Sequence, residues 1–214
     1  AATYLTRHPI LLDEVLDPRL YEIATDWSGF SAELERRLAE EDGDPEREMD
    51  VMREAHHAQV FRLLAQDIAG LQTVERLADH LTALADIIVG KTLEICWSRL
   101  KTRHPLPERA PRFAVIAYGK LGGKELGYGS DLDLVFLHDD PEPHVGELYA
   151  RLAQRLSTWL STQTAAGNLF ETDSRLRPNG DAGMLVNSLD AFRDYQLTRA
   201  WMWEHQALTR ARFC

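Results

Sequence analysis

The sequence predicts an α+β fold in which a helical segment precedes a small sheet. Two observations support this prediction. Residues 1–108 carry apolar side chains at helical spacing. Residues 113–137 instead contain an apolar run, a glycine-rich stretch and a second apolar run, the pattern of two strands joined by a turn. We therefore place a helical subdomain at 1–108 and a sheet-containing core at 109–214.

Composition narrows the class of protein. The 214 residues are 44% hydrophobic and 27% charged, which is ordinary for a globular protein. The net charge of −10 argues against general nucleic-acid binding, which requires a basic face. No apolar run approaches the roughly 18 residues of a membrane span, so we expect no membrane association and a cytoplasmic protein. A helical pattern still continues at 201–212, and we expect the chain to be a fragment of a longer polypeptide.

Helical patterns occupy most of the first half. A short apolar stripe lies at 11–16, and a second helix is expected around Ser31, whose hydroxyl can cap it. A third helix is predicted from Glu46 to about Ala69. The stretch from Thr73 to about Leu100 is predicted as one long helix or a pair of helices. A proline-containing linker at 104–111 marks the predicted domain boundary.

The second half alternates between strands and helices. The strand of 113–117 is followed by a glycine-rich turn and a second strand that runs to Leu137. An amphipathic helix is predicted over 147–164. A strand over 169–177 would end at Pro178 and place four charged side chains on one face: Glu171, Asp173, Arg175 and Arg177. Ser188 is expected to cap a last helix that continues through 201–212.

Two aspartates open the second strand. Asp131 and Asp133 are two residues apart, so their side chains project from the same face of a strand. Adjacent carboxylates repel each other unless a cation lies between them, and Mg²⁺ bound by one or two carboxylates with substrate phosphates is a common solution. Five glycines precede this pair and allow the backbone to approach a phosphate closely, at positions 119, 122, 123, 127 and 129.

A third carboxylate is predicted on the strand of 169–177. Asp173 is the favoured candidate for holding a second metal with the first two aspartates, and Glu171 on the same face is the competitor. Arg175 and Arg177 can pair phosphate oxygens, or they can neutralise the acids on their own strand. Two other groups are set aside as structural: Trp201, Trp203, Glu204 and His205 are expected in the core, and His56 and His57 are expected on the surface.

The signature around the two aspartates resembles that of the DNA-polymerase-beta-type nucleotidyltransferases. Their pattern is a hydrophobic strand, a Gly-Ser or Gly-Gly pair, about ten residues, and then alternating aspartates and hydrophobic residues. Gly119 and Ser130-Asp-Leu-Asp-Leu134 match it. Lys120 stands where Ser or Gly is usual and can contact phosphate through its charge. The resemblance implies a small mixed sheet flanked by helices, with Gly119, Lys120, Ser130, Arg175 and Arg177 at the nucleotide.

Three longer segments resemble a narrower family, the glutamine synthetase adenylyltransferases. They are 118–138, 173–178 and the Trp-Glu-His-Gln-Ala stretch that begins at Trp203, and the likeness extends over the whole chain. The resemblance implies transfer of AMP from ATP to a tyrosine of glutamine synthetase, with release of pyrophosphate and two Mg²⁺ ions held by Asp131, Asp133 and Asp173. It also implies control by a PII-type signal protein and by glutamine.

Two other functions remain open from the sequence. The resemblance implies two related domains in one chain, of which the N-terminal one removes AMP from glutamine synthetase by phosphorolysis and the C-terminal one attaches it. The form of 132–138 and of 203–207 resembles the adenylylating domain. The remaining alternative is a nucleotide-binding regulatory module without turnover, against which the three intact aspartates argue.

Overall fold

The computed structural model describes residues 18–21, 25–41, 43–102, 110–142 and 145–214. The chain divides into two compact units. A helical unit contains the described residues up to Ile88 together with 126–129 and 162–169. A sheet unit contains the described residues of 89–125, 130–161 and 170–214. The boundary predicted near residue 108 falls within 103–109, outside the described residues, and stays a prediction.

The described residues of the helical unit include three long helices. After a 3₁₀ turn at Pro18–Tyr21, α1 spans Trp27–Glu40, α2 spans Pro45–Ile68, and α3 spans Val74–Lys101, of which the part up to Ile88 belongs to this unit. The predicted third helix is confirmed, and the 73–100 stretch is one helix rather than two. The apolar stripe predicted at 11–16 lies outside the described residues.

The helix starts follow from capping chemistry. Asp26 accepts a hydrogen bond from the Gly29 N–H at 2.9 Å and caps α1, so the helix begins before Ser31 and the prediction that Ser31 is its cap is wrong. At α2, Asp44 accepts from the backbone of Glu46 at 2.9 Å. Pro45 follows at the first helical position, where a missing N–H costs nothing.

Two buried polar side chains organise the interior of the helical unit. The Arg53 guanidinium donates to the carbonyls of Gly167 at 2.8 Å and Thr162 at 2.6 Å, which fixes the short hairpin at 164–167 against α2. His56 is buried, and burial lowers its pKa to about 3, so it stays neutral at physiological pH. The prediction of a surface position is therefore wrong for His56.

The sheet unit has the mixed sheet that the α+β prediction requires. Its strands are β1 (Phe113–Ala117), β2 (Leu132–His138), β3 (Thr172–Asp173), β4 (Val186–Ser188) and β5 (Arg212–Phe213). Its helices besides the end of α3 are α4 (Gly119–Gly122), α5 (Val145–Ser161), α6 (Leu189–Thr198) and α7 (Met202–Leu208). The α+β fold class is confirmed.

Strand β2 is the centre of this sheet. It pairs antiparallel with β1 from Leu134 to His138, parallel with β3 at its first residues, and parallel with β4 at its last. Val135 and Phe136 are fully buried, and so are Leu152 and Leu156 on α5. Burying such side chains contributes about 1.5–3 kcal/mol each, which explains why β2 is almost continuously apolar apart from its start.

Two predictions about the end of the chain are wrong in part. The strand of 169–177 is limited to Thr172–Asp173, because the Arg175 N–H donates to Oδ1 of Asp173 at 2.8 Å and turns the chain. Ser188 caps α6 as predicted, but that helix ends at Thr198 and α7 ends at Leu208. The last residues form β5, which pairs with β1.

Candidate active site

Asp133 and Asp173 are direct neighbours across two parallel strands. Their Cα positions are register partners in the β2–β3 pairing, and Leu132 and Thr172 are the other pair. Residues opposite each other on adjacent strands project from the same face of the sheet. Asp131 precedes the first residue of β2 and is exposed. Asp133 and Asp173 therefore lie side by side at the start of the central strand, and Asp131 lies two residues before Asp133 in the chain.

The charges around Asp133 define the electrostatics of this site. Its pKa is raised above the ordinary value, first by burial and then by repulsion from Asp131 and Asp173. Arg175 and Lys120 act in the opposite direction and lower it. Four other predicted site residues thus influence this one half-buried carboxyl group. The remaining negative charge of the three aspartates favours a bound cation.

Gly119 is required by the position of Asp133. Its φ of +54° lies in the left-handed region, and a Cβ there would overlap Oδ2 of the Asp133 carboxylate. The Tyr118 N–H donates to the Asp133 carbonyl at 2.9 Å, which fixes the start of α4 against β2. Glycine is thus needed here for both conformation and space. A phosphate contact from this position stays a prediction.

Lys120 and Ser130 both precede the aspartates in the chain. Lys120 is exposed on α4, and its charge reaches Asp133, as the effect on that pKa indicates. Ser130 is half-buried directly before Asp131. Their predicted contacts with a nucleotide stay predictions, and both positions are compatible with them.

Arg175 is bound to the third aspartate. Its Nε donates to both carboxylate oxygens of Asp173, at 3.0 and 2.8 Å, and Nη2 also contacts Oδ2. These hydrogen bonds are the largest cause of the lowered pKa of Asp173. The Arg175 side chain is 72% exposed, so the same guanidinium remains accessible to a ligand. Neutralisation of the acid is observed, and phosphate binding stays a prediction.

Arg177 has a different environment from Arg175. It is buried, and its guanidinium donates to the Ser174 carbonyl at 2.8 Å, to Ser174 Oγ at 2.9 Å and to the Asp181 carbonyl at 3.2 Å. These contacts hold the turn that follows β3. The two arginines do not share the strand face that alternation predicts, because the strand ends at Asp173. A phosphate contact from Arg177 stays a prediction.

The donor set at the three aspartates suits Mg²⁺ in chemistry. All the candidate ligands are carboxylate oxygens, which this ion prefers, and Asp133 is destabilised by the charges of the other two. Among the described residues, no three acidic, histidine or cysteine side chains are gathered closely enough to form a complete metal site. The Asp173 carboxylate is engaged by Arg175, so a cation and Arg175 would compete for it.

The sequence matches one known protein family. The family model for glutamate-ammonia ligase adenylyltransferase matches residues 1–214, the whole chain. The chain belongs to this family.

Individual relatives agree with the family assignment. The chain is similar to the bifunctional glutamine synthetase adenylyltransferase/adenylyl-removing enzyme of Aromatoleum aromaticum, with 66% identity over 213 residues that cover 100% of this chain and 22% of the relative. Proteins of the same name match from Chromobacterium violaceum, at 57% identity over 99% of this chain and 23% of the relative, and from Neisseria meningitidis, at 56% identity with the same coverages. The chain therefore spans less than a quarter of the length of these relatives.

Glu204 lies on the helix that the sequence analysis expected in the core, and the structure of this adenylyltransferase-family chain gives it a definite role. Glu204 is buried and accepts hydrogen bonds from the Tyr195 hydroxyl at 2.9 Å and from the Trp201 N–H at 2.8 Å. The sequence carries a signal for this role, because a Glu at the third position of a helix commonly accepts a hydrogen bond from the backbone N–H that precedes the helix. Trp201 and Trp203 were expected in the core but are 71% and 55% exposed.

Two contacts made by residues near the end of the sequence were not predicted. Arg212 donates from Nε to the Leu121 carbonyl at 3.2 Å, and Arg210 forms an ion pair with Glu125. Both contacts reach the glycine-rich stretch around α4. No local pattern predicts them, because the partners are about 90 residues apart. Among the described residues of this chain, each helix is too short or too polar to cross a lipid bilayer.

Proposed function

We propose that this chain is the adenylylating module of its family, which transfers AMP from ATP to a tyrosine of glutamine synthetase and releases pyrophosphate. The register pairing of Asp133 with Asp173, next to Gly119, is the observation that supports it most strongly. Two carboxylates from adjacent strands beside a closely approaching backbone are suited to a nucleotide with its cation. The family and the names of the relatives support the same substrate.

The three aspartates would hold Mg²⁺, and two ions are proposed. When bound, Mg²⁺ neutralises charge on the triphosphate and stabilises the attacking and leaving oxygens of an in-line displacement. Asp133 is the proposed shared ligand because it lies between Asp131 along the strand and Asp173 across it. Asp173 would also help to accept the proton of the tyrosine hydroxyl.

The cationic residues of the site would orient the triphosphate. Lys120 and Arg175 both lower the pKa of Asp133, so their charges lie near the carboxylates where phosphate would be bound. Arg175 is exposed and can exchange its bond to Asp173 for phosphate oxygens, which a guanidinium binds in a bidentate manner. Ser130 and the Gly119 backbone would contribute neutral contacts. Arg177 would act mainly by holding the turn after Asp173.

The opposite reaction is the second candidate. The relatives are named for both adenylyl transfer and adenylyl removal, and a phosphorolytic domain would use the same aspartates. We favour transfer because 132–138 and 203–207 resemble the adenylylating domain. A PII-type signal protein and glutamine are proposed as regulators of the whole polypeptide, without an assigned position on this chain.

The two directions can be separated in one experiment with the complete polypeptide. Unmodified glutamine synthetase is incubated with ATP labelled on its α-phosphate, and adenylylated glutamine synthetase is incubated with phosphate. In each arm, Asp131→Asn in this chain is compared with the parent. Our proposal predicts that the substitution removes incorporation of label and leaves ADP release unaffected. Loss of ADP release with normal incorporation would assign this chain to phosphorolysis instead.

A further inference from the structure

The segment 209–213 lies against the glycine-rich stretch at α4. We infer that Arg212, supported by Arg210, is a positioning residue for the reaction: it holds α4 so that Gly119 and Lys120 stay beside Asp133. The inference rests on the proposed function for its effect on catalysis. Its structural part is independent of which reaction the chain performs.

Strand β5 brings Arg212 to this position. Arg212 is the register partner of Ala117 and Phe213 is the partner of Ile116, in an antiparallel pairing of β5 with β1. The Cys214 N–H donates to the Val115 carbonyl at 3.0 Å and extends the pairing by one residue. Arg212 is therefore fixed opposite the last residue of β1, two positions before Gly119.

From there Arg212 and Arg210 contact α4 at several points. The Arg212 Nε donates to the carbonyl of Leu121, whose side chain is fully buried. The Arg210 carbonyl lies so close to Gly122 that a Cβ on that residue would overlap it. A Cβ on Gly123 would come within 3.0 Å of the Arg210 guanidinium, which also pairs with Glu125. The glycines at 122 and 123 are thus explained by packing against this segment.

A helix of this length depends on such contacts. Helix α4 has four residues, and isolated helices shorter than about 12 residues are marginal even with favourable sequences. The Gly122 N–H bonds to the Tyr118 carbonyl at 2.8 Å and the Gly123 N–H bonds to the Gly119 carbonyl at 3.0 Å. These local bonds define a turn but do not place it against the sheet. Asp133 contacts α4 on one side, and the segment 209–213 supports it on another.

The consequence for the site follows from the two ends of α4. Its first residue, Gly119, lies against the Asp133 carboxylate, and its second, Lys120, lowers the pKa of that carboxyl. A shift of α4 would therefore move both Gly119 and Lys120 relative to Asp133. Misplacement by about 1 Å in an active site can cost on the order of 100-fold in rate. Arg212 contacts the Leu121 carbonyl, so α4 would transmit its effect to the site.

The test compares Arg212→Gln, Arg212→Lys and the control Arg193→Gln, an exposed arginine on α6, in the complete polypeptide. Amide hydrogen exchange is measured for the segment 119–125 and for β2, alongside the kinetics of AMP transfer. We expect Arg212→Gln to speed exchange at 119–125 but not in β2, and to lower kcat/KM for ATP by about 10- to 100-fold. The KM for glutamine synthetase should be unchanged, and Arg212→Lys should restore part of the loss.

A second pair of variants keeps the test independent of folding. Arg210→Glu reverses one partner of the ion pair with Glu125, and adding Glu125→Arg restores opposite charges. The double variant should recover the slow exchange that the single variant loses. Unchanged exchange at 119–125 in Arg212→Gln, or uniform acceleration that includes β2, would overturn the positioning role. If the parent lacks AMP transfer, the proposed function fails while the exchange measurement still decides this inference.

Discussion

Asp133 and Asp173 occupy paired positions on parallel strands, yet their carboxyl groups are perturbed in opposite directions. Burial and the neighbouring aspartates raise the pKa of Asp133, whereas hydrogen bonds from Arg175 lower the pKa of Asp173. The ionised form of Asp133 is therefore disfavoured by its surroundings, whereas the ionised form of Asp173 is stabilised. This asymmetry, beside a glycine that the Asp133 side chain requires, is the basis of the proposed site.

The first prediction concerns the stability of two matched variants in magnesium-free buffer. Asp133→Asn should raise the unfolding temperature at pH 7, because it removes a half-buried charge that its neighbours repel. Asp173→Asn should lower the unfolding temperature, because Arg175 loses the ionised partner that accepts its hydrogen bonds. Thermal unfolding followed by circular dichroism checks both, and equal signs for the two variants would contradict the assignment.

The same pair predicts a pH dependence with a definite sign. The pKa of Asp133 in the folded state lies above its ordinary value of 3.8, so its ionisation costs stability as the pH rises from that value through the raised pKa. The rise in unfolding temperature caused by Asp133→Asn should therefore disappear at pH values below 3.8. The stabilising effect of Asp173 is present above its ordinary pKa and is lost as the pH falls through the lowered one. Unfolding temperatures measured between pH 7 and pH 3 test both trends.

A further prediction separates Asp173 from its sequence competitor Glu171. Asp173 faces Asp133, whereas Glu171 is exposed and lies before β3. We expect Asp173→Asn to reduce AMP transfer by at least about 100-fold, since loss of even an outer partner of a metal ligand costs 10- to 100-fold. Glu171→Gln should retain most of the activity. A larger loss of AMP transfer in Glu171→Gln than in Asp173→Asn would identify Glu171 as the third carboxylate of the site.

Gly119 offers a steric test of the site. Gly119→Ala should reduce AMP transfer strongly, because the new Cβ overlaps the Asp133 carboxylate and the left-handed backbone costs about 1–2 kcal/mol for a residue with a side chain. Gly90→Ala is the matched control: Gly90 lies in α3 with open space around it, and the substitution should stabilise that helix by about 0.5–1 kcal/mol. Kinetics and chemical denaturation of both variants provide the comparison. Full activity in Gly119→Ala would show that Asp133 tolerates displacement.

The last helix provides a stability prediction away from the aspartates. Glu204→Ala removes a buried carboxylate that accepts hydrogen bonds from Tyr195 and Trp201, and should cost about 1–3 kcal/mol of unfolding free energy. Trp203→Ser, on the exposed side of the same helix, should change the unfolding free energy by no more than about 0.5 kcal/mol. Urea denaturation measures both. A larger cost for the tryptophan would indicate that it is buried in solution.

Much of the fold follows from local patterns in the sequence. The Ser188 cap, the long helices and the central strand are local features, so spacing and composition predict them. The turn after Asp173 escaped prediction because one side-chain hydrogen bond to the Arg175 backbone outweighs an alternating pattern that suits a strand. Strand β5 escaped prediction because it depends on pairing with β1, nearly 100 residues earlier.

The candidate site shows the same division. The spacing of Asp131 and Asp133 indicated a shared face, and the structure gives their strand a parallel partner that carries Asp173. The different environments of Arg175 and Arg177 could not be predicted, since they depend on the turn that ends β3. The core expectation failed at Trp201, which is exposed, but held at Glu204, whose buried carboxylate accepts hydrogen bonds from backbone and tyrosine donors.

The most direct measurement is single-turnover incorporation of AMP from α-phosphate-labelled ATP into a tyrosine of glutamine synthetase. It compares the complete polypeptide with Asp133→Asn and with Asp139→Asn, an exposed aspartate one residue beyond β2. Our account predicts normal incorporation by Asp139→Asn and loss of incorporation in Asp133→Asn, although the latter variant is at least as stable as the parent at pH 7. Incorporation by Asp133→Asn at the parent rate would contradict the proposed active site.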